Sequence, residues 1–240
     1  MTAEPFALWV FLSRTPLLWL TVTLAAYVAA DRFSLATGRH PLANPVLHAV
    51  WLIGAVLWLT GTSYPTYFEG AQFVHFLLGP ATVSLAFPLY ENRAIVLKSL
   101  LPMLVALVAG SVVALGSVLL FGSLLGLPHD LLVALAPKSV TAAVAMGIAT
   151  NLGGDPALTA VMVMLTGVLG AIIVTPLFNL LKVTDWRARG FAVGLASHGI
   201  GTARAFQVHP LAGTFAGIAM GLNALLTAIL APLALGLLLR

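Results

Sequence analysis

Two basic residues stand inside apolar stretches of this chain: Lys138 in Pro137-Lys138-Ser139-Val140-Thr141, and Arg204 in Ser197-His198-Gly199-Ile200-Gly201-Thr202-Ala203-Arg204. A cation at the centre of a membrane helix costs about 2.5–3.5 kcal/mol even on a permissive insertion scale. The acidic residues Glu4, Asp31, Glu69, Glu91, Asp130, Asp155 and Asp185 all read as loop or element-end positions, so none offers compensation at that depth. The chemistry that fits is an anionic substrate neutralised by Lys138 and Arg204. Ser139, Thr141, Ser197 and Thr202 would bond its oxygens. Pro137 removes an N–H, and Gly199 and Gly201 loosen the backbone; helix N-termini at such breaks aim N–H groups at an anion. Thr82, after Gly79-Pro80, offers the same geometry without a charge. His198 is a candidate proton carrier and equally a hydrogen-bonded structural residue. The plain alternative for both cations is a side chain that snorkels to the interface.

The elements that must position these residues are membrane helices. The chain is 60% hydrophobic and 8% charged, against about 25% charged in a soluble domain. Several runs exceed the roughly 20 apolar residues a span needs. Absent cysteine excludes disulfides and zinc–thiolate sites. The +4 net charge sits in short loops, which argues orientation rather than nucleic-acid binding. The expectation is one membrane domain over 1–240, with no cofactor and no metal. Ser197-His198 lacks a buried carboxylate for a triad, and no His-Glu-x-x-His stretch occurs, so an enzyme is not expected.

Eight apolar elements are legible: Phe6–Ala30, broken near Pro16; Pro45–Gly61; Gly70–Tyr90; Ile95–Leu125; Leu131–Asn151, broken at Pro137–Ser139; Pro156–Lys182; Arg189–Val208; and Leu211–Leu239. Gly70, Gly79 and Thr82 align with Gly190, Gly199 and Thr202 at an offset of 120, and the regions of Pro16 and Pro45 align with those of Pro137 and Pro156. The order of these matches favours duplication over chance, with halves of about 6–125 and 131–240. Arg93 and Lys98 follow the third element, while Lys182, Arg187 and Arg189 follow the sixth. Basic loops mark the cytoplasmic side. Both groups share that side if the fifth element re-enters instead of crossing. The fold class expected is therefore an all-α polytopic membrane protein: two inverted repeats with broken or re-entrant helices, like a secondary transporter. The Gly79 and Gly199 regions are expected to be non-helical.

Five ordered motifs carry a resemblance. Leu78-Gly79-Pro80-Ala81-Thr82-Val83, Pro88-Leu89-Tyr90, Pro137-Lys138-Ser139-Val140-Thr141, Gly153-Gly154-Asp155-Pro156-Ala157-Leu158-Thr159-Ala160 and Ser197–Ala205 are similar to the LrgB/CidB family. That family includes antiholin-like modulators of murein hydrolases and autolysis, the LrgB-like half of the plastid glycolate/glycerate translocator, and bacterial pyruvate-uptake proteins. The chain departs from the family at Ala142-Ala143, where Thr-Pro is frequent, and at Gln207, near a frequent acidic position. The resemblance implies a multi-pass bacterial inner-membrane protein, a homo-oligomer in the lipid bilayer beside a small LrgA/CidA-type subunit. Its implied substrate is a small monocarboxylate such as glycolate, glycerate, lactate or pyruvate. The alternative function is a holin- or antiholin-like regulator of murein hydrolase activity. The site expected comprises Lys138, Ser139, Thr141, Ser197, His198, Gly199, Gly201, Thr202, Arg204 and Thr82.

Overall fold

Proline and short polar caps start the helices. Asn44 and Asp155 each accept two backbone N–H groups of the turn they open, with Pro45 and Pro156 at the first helical position. There the missing proline N–H costs nothing, because it would be unpaired anyway. The computed structural model describes residues 15–84 and 86–238, and every regular element among them is a helix. These are α1 Pro16–Ala36, α2 Pro45–Thr60, α3 Tyr64–Phe76, α4 Leu78–Ser84, α5 Ala86–Glu91, α6 Arg93–Lys98, α7 Leu100–Leu124, α8 His129–Leu135, α9 Ala142–Asn151, α10 Pro156–Leu180, α11 Trp186–Val208 and α12 Pro210–Leu238. Three of them, α7, α10 and α12, are long and apolar enough to cross a membrane.

The chain divides into two compact units after Ala86. In the first unit, α1 packs on α2 and α3. Trp19 of α1 is fully buried and meets the Tyr67 ring edge-on at 6.0 Å. Gly70 of α3 lies against the α1 backbone, where a Cβ would fall on the Pro16 carbonyl. Pro16 opens an unbroken 21-residue helix. The part of the first element before it, and hence the break expected near Arg14, lies outside the described residues. Helix α1 also runs past Ala30, so Asp31 lies within it, paired with Arg39. Glu69 likewise falls inside α3. These two carboxylates thus lie within helices rather than at the loop or element-end positions expected. The reason is that polar residues on a helix face turned outward do not end the helix.

The third element is not one Gly-interrupted segment but three short helices, α3, α4 and α5. Gly79 is helical, contrary to expectation; the interruption falls at Leu77. Pro80 is tolerated because it sits in the first turn of α4, where no N–H is needed.

The second unit is built on α7, α10 and α12, and two folded-back segments fill the space between them. In the first, α8 and α9 flank the non-helical residues 136–141, as expected for a fifth element broken at Pro137. The segment reverses: a Cβ on Gly154, just beyond α9, would lie 2.6 Å from the Val133 side chain in α8. Val133, Ala136, Val140, Ala145 and Ile148 share one core with Leu115 and Leu119 of α7, Val163 of α10 and Leu235 of α12.

The second reversal is in α11. Ser197 (φ −130°, ψ 17°) and His198 (φ 40°, ψ −134°) leave the helical region and divide α11 into two arms. A straight 23-residue helix would hold its ends about 34 Å apart. Instead the rings of Trp186 and His209 stack 4.9 Å apart, and a Cβ on Gly201 would lie 2.9 Å from the Val193 carbonyl. Helix α11 is therefore a helical hairpin. Gly199 is helical, and the reversal falls just before it, at a histidine. Both ends of the α8–α9 hairpin lie where α7 ends and α10 begins. Both ends of the α11 hairpin lie where α10 ends and α12 begins. Since α10 spans 25 residues, about 37 Å, the hairpins enter from opposite ends.

Glycines set the α11–α12 seam. A Cβ on Gly190 or Gly194 would fall on the carbonyl oxygen of Ala212 or Ala216. Gly190 thus shares with Gly70 the device of backbone-to-backbone contact, though its partner follows it in the chain while that of Gly70 precedes it. Gly194→Leu is expected to destabilise the purified protein by about 1–3 kcal/mol through overpacking. Gly221→Ala, whose Cβ would meet nothing within 4 Å, should leave the melting temperature in detergent unchanged or slightly raised.

Candidate functional site

The two hairpin tips meet at Asn223. This residue lies near the middle of α12 and is 0% exposed. Its Nδ2 donates to the Leu195 carbonyl at 2.9 Å, in the last turn before the α11 reversal. The same amide lies 3.4 Å from both the carbonyl and the hydroxyl oxygen of Ser139 at the other tip. Its Oδ1 accepts from Ser111 of α7 at 2.7 Å and from Thr227 at 3.2 Å. An amide has two donor hydrogens and two acceptor lone pairs, and here each is directed at a partner.

The α11 tip is also fixed from α10. His198 Nε2 lies 2.9 Å from the Val163 carbonyl. The carbonyl can only accept, so Nε2 carries the proton. Thr202 donates its hydroxyl to the His198 carbonyl at 2.7 Å. Gly167 and Gly170 of α10 make room for this tip: a Cβ on Gly170 would fall on the Ser197 hydroxyl, and one on Gly167 would lie 2.6 Å from the His198 ring. A histidine rarely adopts positive φ. Here the surrounding contacts hold it there, while Gly201 supplies space beside Val193 rather than the turn itself.

The residues singled out in the sequence fall in three places. Ser139, Ser197, His198 and Thr202 are buried at or beside the joined tips. Lys138, half-buried, lies in the first tip, and Thr141 precedes α9. Gly199 and Gly201 begin the second arm of α11. Arg204, 7% exposed, lies further down that arm, away from the tip and toward the hairpin base. Thr82 lies in α4, within the other compact unit.

Arg204 lines a half-open cavity between the end of α10, both arms of α11 and the start of α12. Thr175, Phe178, Trp186, Arg189 and Gly190 also line it, and Lys138 does not. Arg189 stands over the Trp186 ring at 5.0 Å and the Phe178 ring at 5.9 Å. Its Nε donates to the Val183 carbonyl and Nη2 to Asn179 Oδ1, both at 2.6 Å. Asp185 caps α11 and is turned to Arg187, whose hydrogen bonds hold its carboxyl below the usual range.

Sequence reading missed Asn223, Trp186 and His209. Asn223 carried a usable signal: an amide in mid-span of an otherwise apolar segment, four residues before Thr227 and so on the same helix face. The Trp186–His209 stack carried none, because it exists only once α11 folds back. Asn223→Leu should orphan the Leu195 carbonyl and the Ser111 hydroxyl and cost about 2–4 kcal/mol. Ser111→Ala should cost about 1 kcal/mol, and the double variant should fall short of the sum. Thermal denaturation in one detergent checks all three.

The model of the LrgB-like family matches residues 23–237. YxaC of Bacillus subtilis is 38% identical over 219 residues, covering 89% of this chain and 93% of its own. The holin-like protein CidB of Staphylococcus epidermidis is 33% identical over 217 residues, covering 90% of this chain and 93% of its own. The holin-like protein CidB of Staphylococcus aureus is 32% identical over 216 residues, covering 90% and 94%. No solved structure matches. On the extent of the family match and of these similarities, the chain belongs to the LrgB-like family.

Proposed function

We propose that this protein acts in the bacterial inner membrane in a holin-like or antiholin-like role, changing bilayer permeability and through it murein hydrolase activity. The observation that carries this reading is similarity to the CidB proteins, named holin-like, along nine-tenths of the chain. The three long apolar helices fit it. With Lys182, Arg187 and Arg189 at the base of the α11 hairpin and Arg93 and Lys98 before α7, the basic loops lie at one end, which the positive-inside rule makes cytoplasmic. A small LrgA/CidA-type subunit and homo-oligomerisation remain part of the proposal.

A second reading, selective passage of a small monocarboxylate, is favoured by one arrangement. Two hairpins enter from opposite ends, their tips meet at mid-span, and Arg204 is buried beside a cavity. Secondary-transporter scaffolds bring broken helices together at the midplane; here both broken segments lie in the second of the two sequence halves. Lys138, Ser139, Thr141, Ser197, Thr202 and Arg204 would then face the substrate as the hairpins move, with no metal or cofactor involved.

Proteoliposomes loaded with labelled pyruvate and a trapped bulky dye separate the two. A holin-like lesion releases both. Selective passage releases the acid saturably, retains the dye and slows by about ten-fold or more in Arg204→Gln, as loss of a charged hydrogen bond implies. Vesicles no leakier than empty ones to either solute would overturn both readings.

A further inference from the structure

We propose that residues 87–98 lie in the headgroup layer of the cytoplasmic leaflet and bind anionic phospholipid there, through Arg93, Lys98 and the Tyr90 ring. Helices α5 and α6 have six residues each, about 9 Å of helix, so neither crosses a hydrocarbon core of about 30 Å. They face outward on nearly every side. Phe87, Tyr90 and Leu97 are 68%, 65% and 64% exposed, so the rest of the chain does not cover them. The charged Glu91, Arg93 and Lys98 on the same two helices are exposed as well. Neither water nor hydrocarbon suits that mixture. Water leaves the rings and aliphatic chains unburied, and hydrocarbon strips the charges of their hydration. The headgroup layer takes both, with aromatic rings at its inner edge and cationic heads among the phosphates.

The level of the segment is fixed by its inner side. Val96 is buried in one core with Met103 in the first turn of α7, Phe191 near the start of α11 and Phe215 near the start of α12. Ser99, also buried, donates to the Ile95 carbonyl at 2.9 Å and ties α6 to α7. The segment therefore sits where three apolar helices end, at the level of the lipid phosphates. Charge names the occupant. Lys182, Arg187 and Arg189 belong to the same end, whereas the connections at the opposite end, 125–130 and 151–156, carry Asp130 and Asp155 and no lysine or arginine. An anionic leaflet attracts such a basic end. An acidic protein face would answer the cations but leave Phe87 and Leu97 without an apolar neighbour, while a phospholipid supplies phosphate and acyl chain together. Arg93 is preset for this: its Nη1 donates to the Tyr90 carbonyl at 3.0 Å, and the guanidinium lies over the Tyr90 ring at 4.4 Å. Further N–H groups of the fork serve a phosphate.

The chain has no cysteine, so one introduced thiol reports one position. Leu97→Cys carries a fluorescent bimane in phosphatidylcholine vesicles that contain a nitroxide-labelled lipid with either a phosphatidylcholine or a phosphatidylglycerol head. Val113→Cys, exposed midway along α7, gives the reference for the bilayer centre. The label at 97 should be quenched more by a nitroxide near the headgroup than by one at the chain end, and the label at 113 the reverse. At equal mole fraction the phosphatidylglycerol quencher should be favoured at 97 by about five-fold or more, the effect of cations held at an anionic surface. Arg93→Gln and Lys98→Gln should each lower that preference, and together bring it to about one. Glu91→Gln should not lower it. If Leu97→Cys fails to insert, Leu89→Cys gives the same reading. Equal quenching by the two heads at 97 would overturn the proposal. So would a depth profile like that of 113, or no quenching by either lipid, the result expected if a protein partner covers the segment.

Discussion

The second unit depends on how one buried amide is satisfied. A helix that breaks in an apolar interior exposes backbone N–H and C=O groups, each costing several kcal/mol if left unpaired. Two such breaks are present, at residues 136–141 and at Ser197-His198. Asn223 answers part of both at once, through Leu195 and Ser139, and is itself satisfied by Ser111 and Thr227. The network therefore joins α7, α12 and both hairpin tips at a single point. Were any partner lost, the others would remain buried and underpaired, so the tips are coupled to each other and to two spanning helices.

Space around that point is supplied by residues without side chains. Gly167 and Gly170 admit Ser197 and the His198 ring, Gly190 and Gly194 admit the α12 backbone, and Gly201 admits Val193. Close approach permits the short contacts that replace the missing hydrophobic drive between helices in lipid. The positive φ of the reversal falls on a histidine, which is held there by Val163 and Thr202 and given room by Gly167.

The folded-back α11 also separates two kinds of polar environment. At the tip, Ser139, His198 and Thr202 have protein partners. At the base, Arg189 is held by Val183 and Asn179, and it lines a half-open cavity with Arg204 beside aromatic rings.

Composition and run length alone determined that this is a helical membrane protein, because charge at 8% leaves no soluble surface to build. The break at Pro137 was equally legible, since proline and two arms too short to span admit few other readings. The motifs of Lys138 and of Ser197 to Arg204 sufficed for the LrgB family. Tertiary structure decided the rest. Nothing local distinguishes a kinked span from a hairpin at Ser197-Thr202, since the fold-back rests on glycines of α10 and on a seam with α12, both distant in sequence. Gly79 misled for the same reason: a Gly-Pro pair breaks a helix or begins one according to what surrounds it, and here α4 begins. Asn223 looked like one polar residue in an apolar run, and only the meeting of two tips from opposite ends gives its amide four partners.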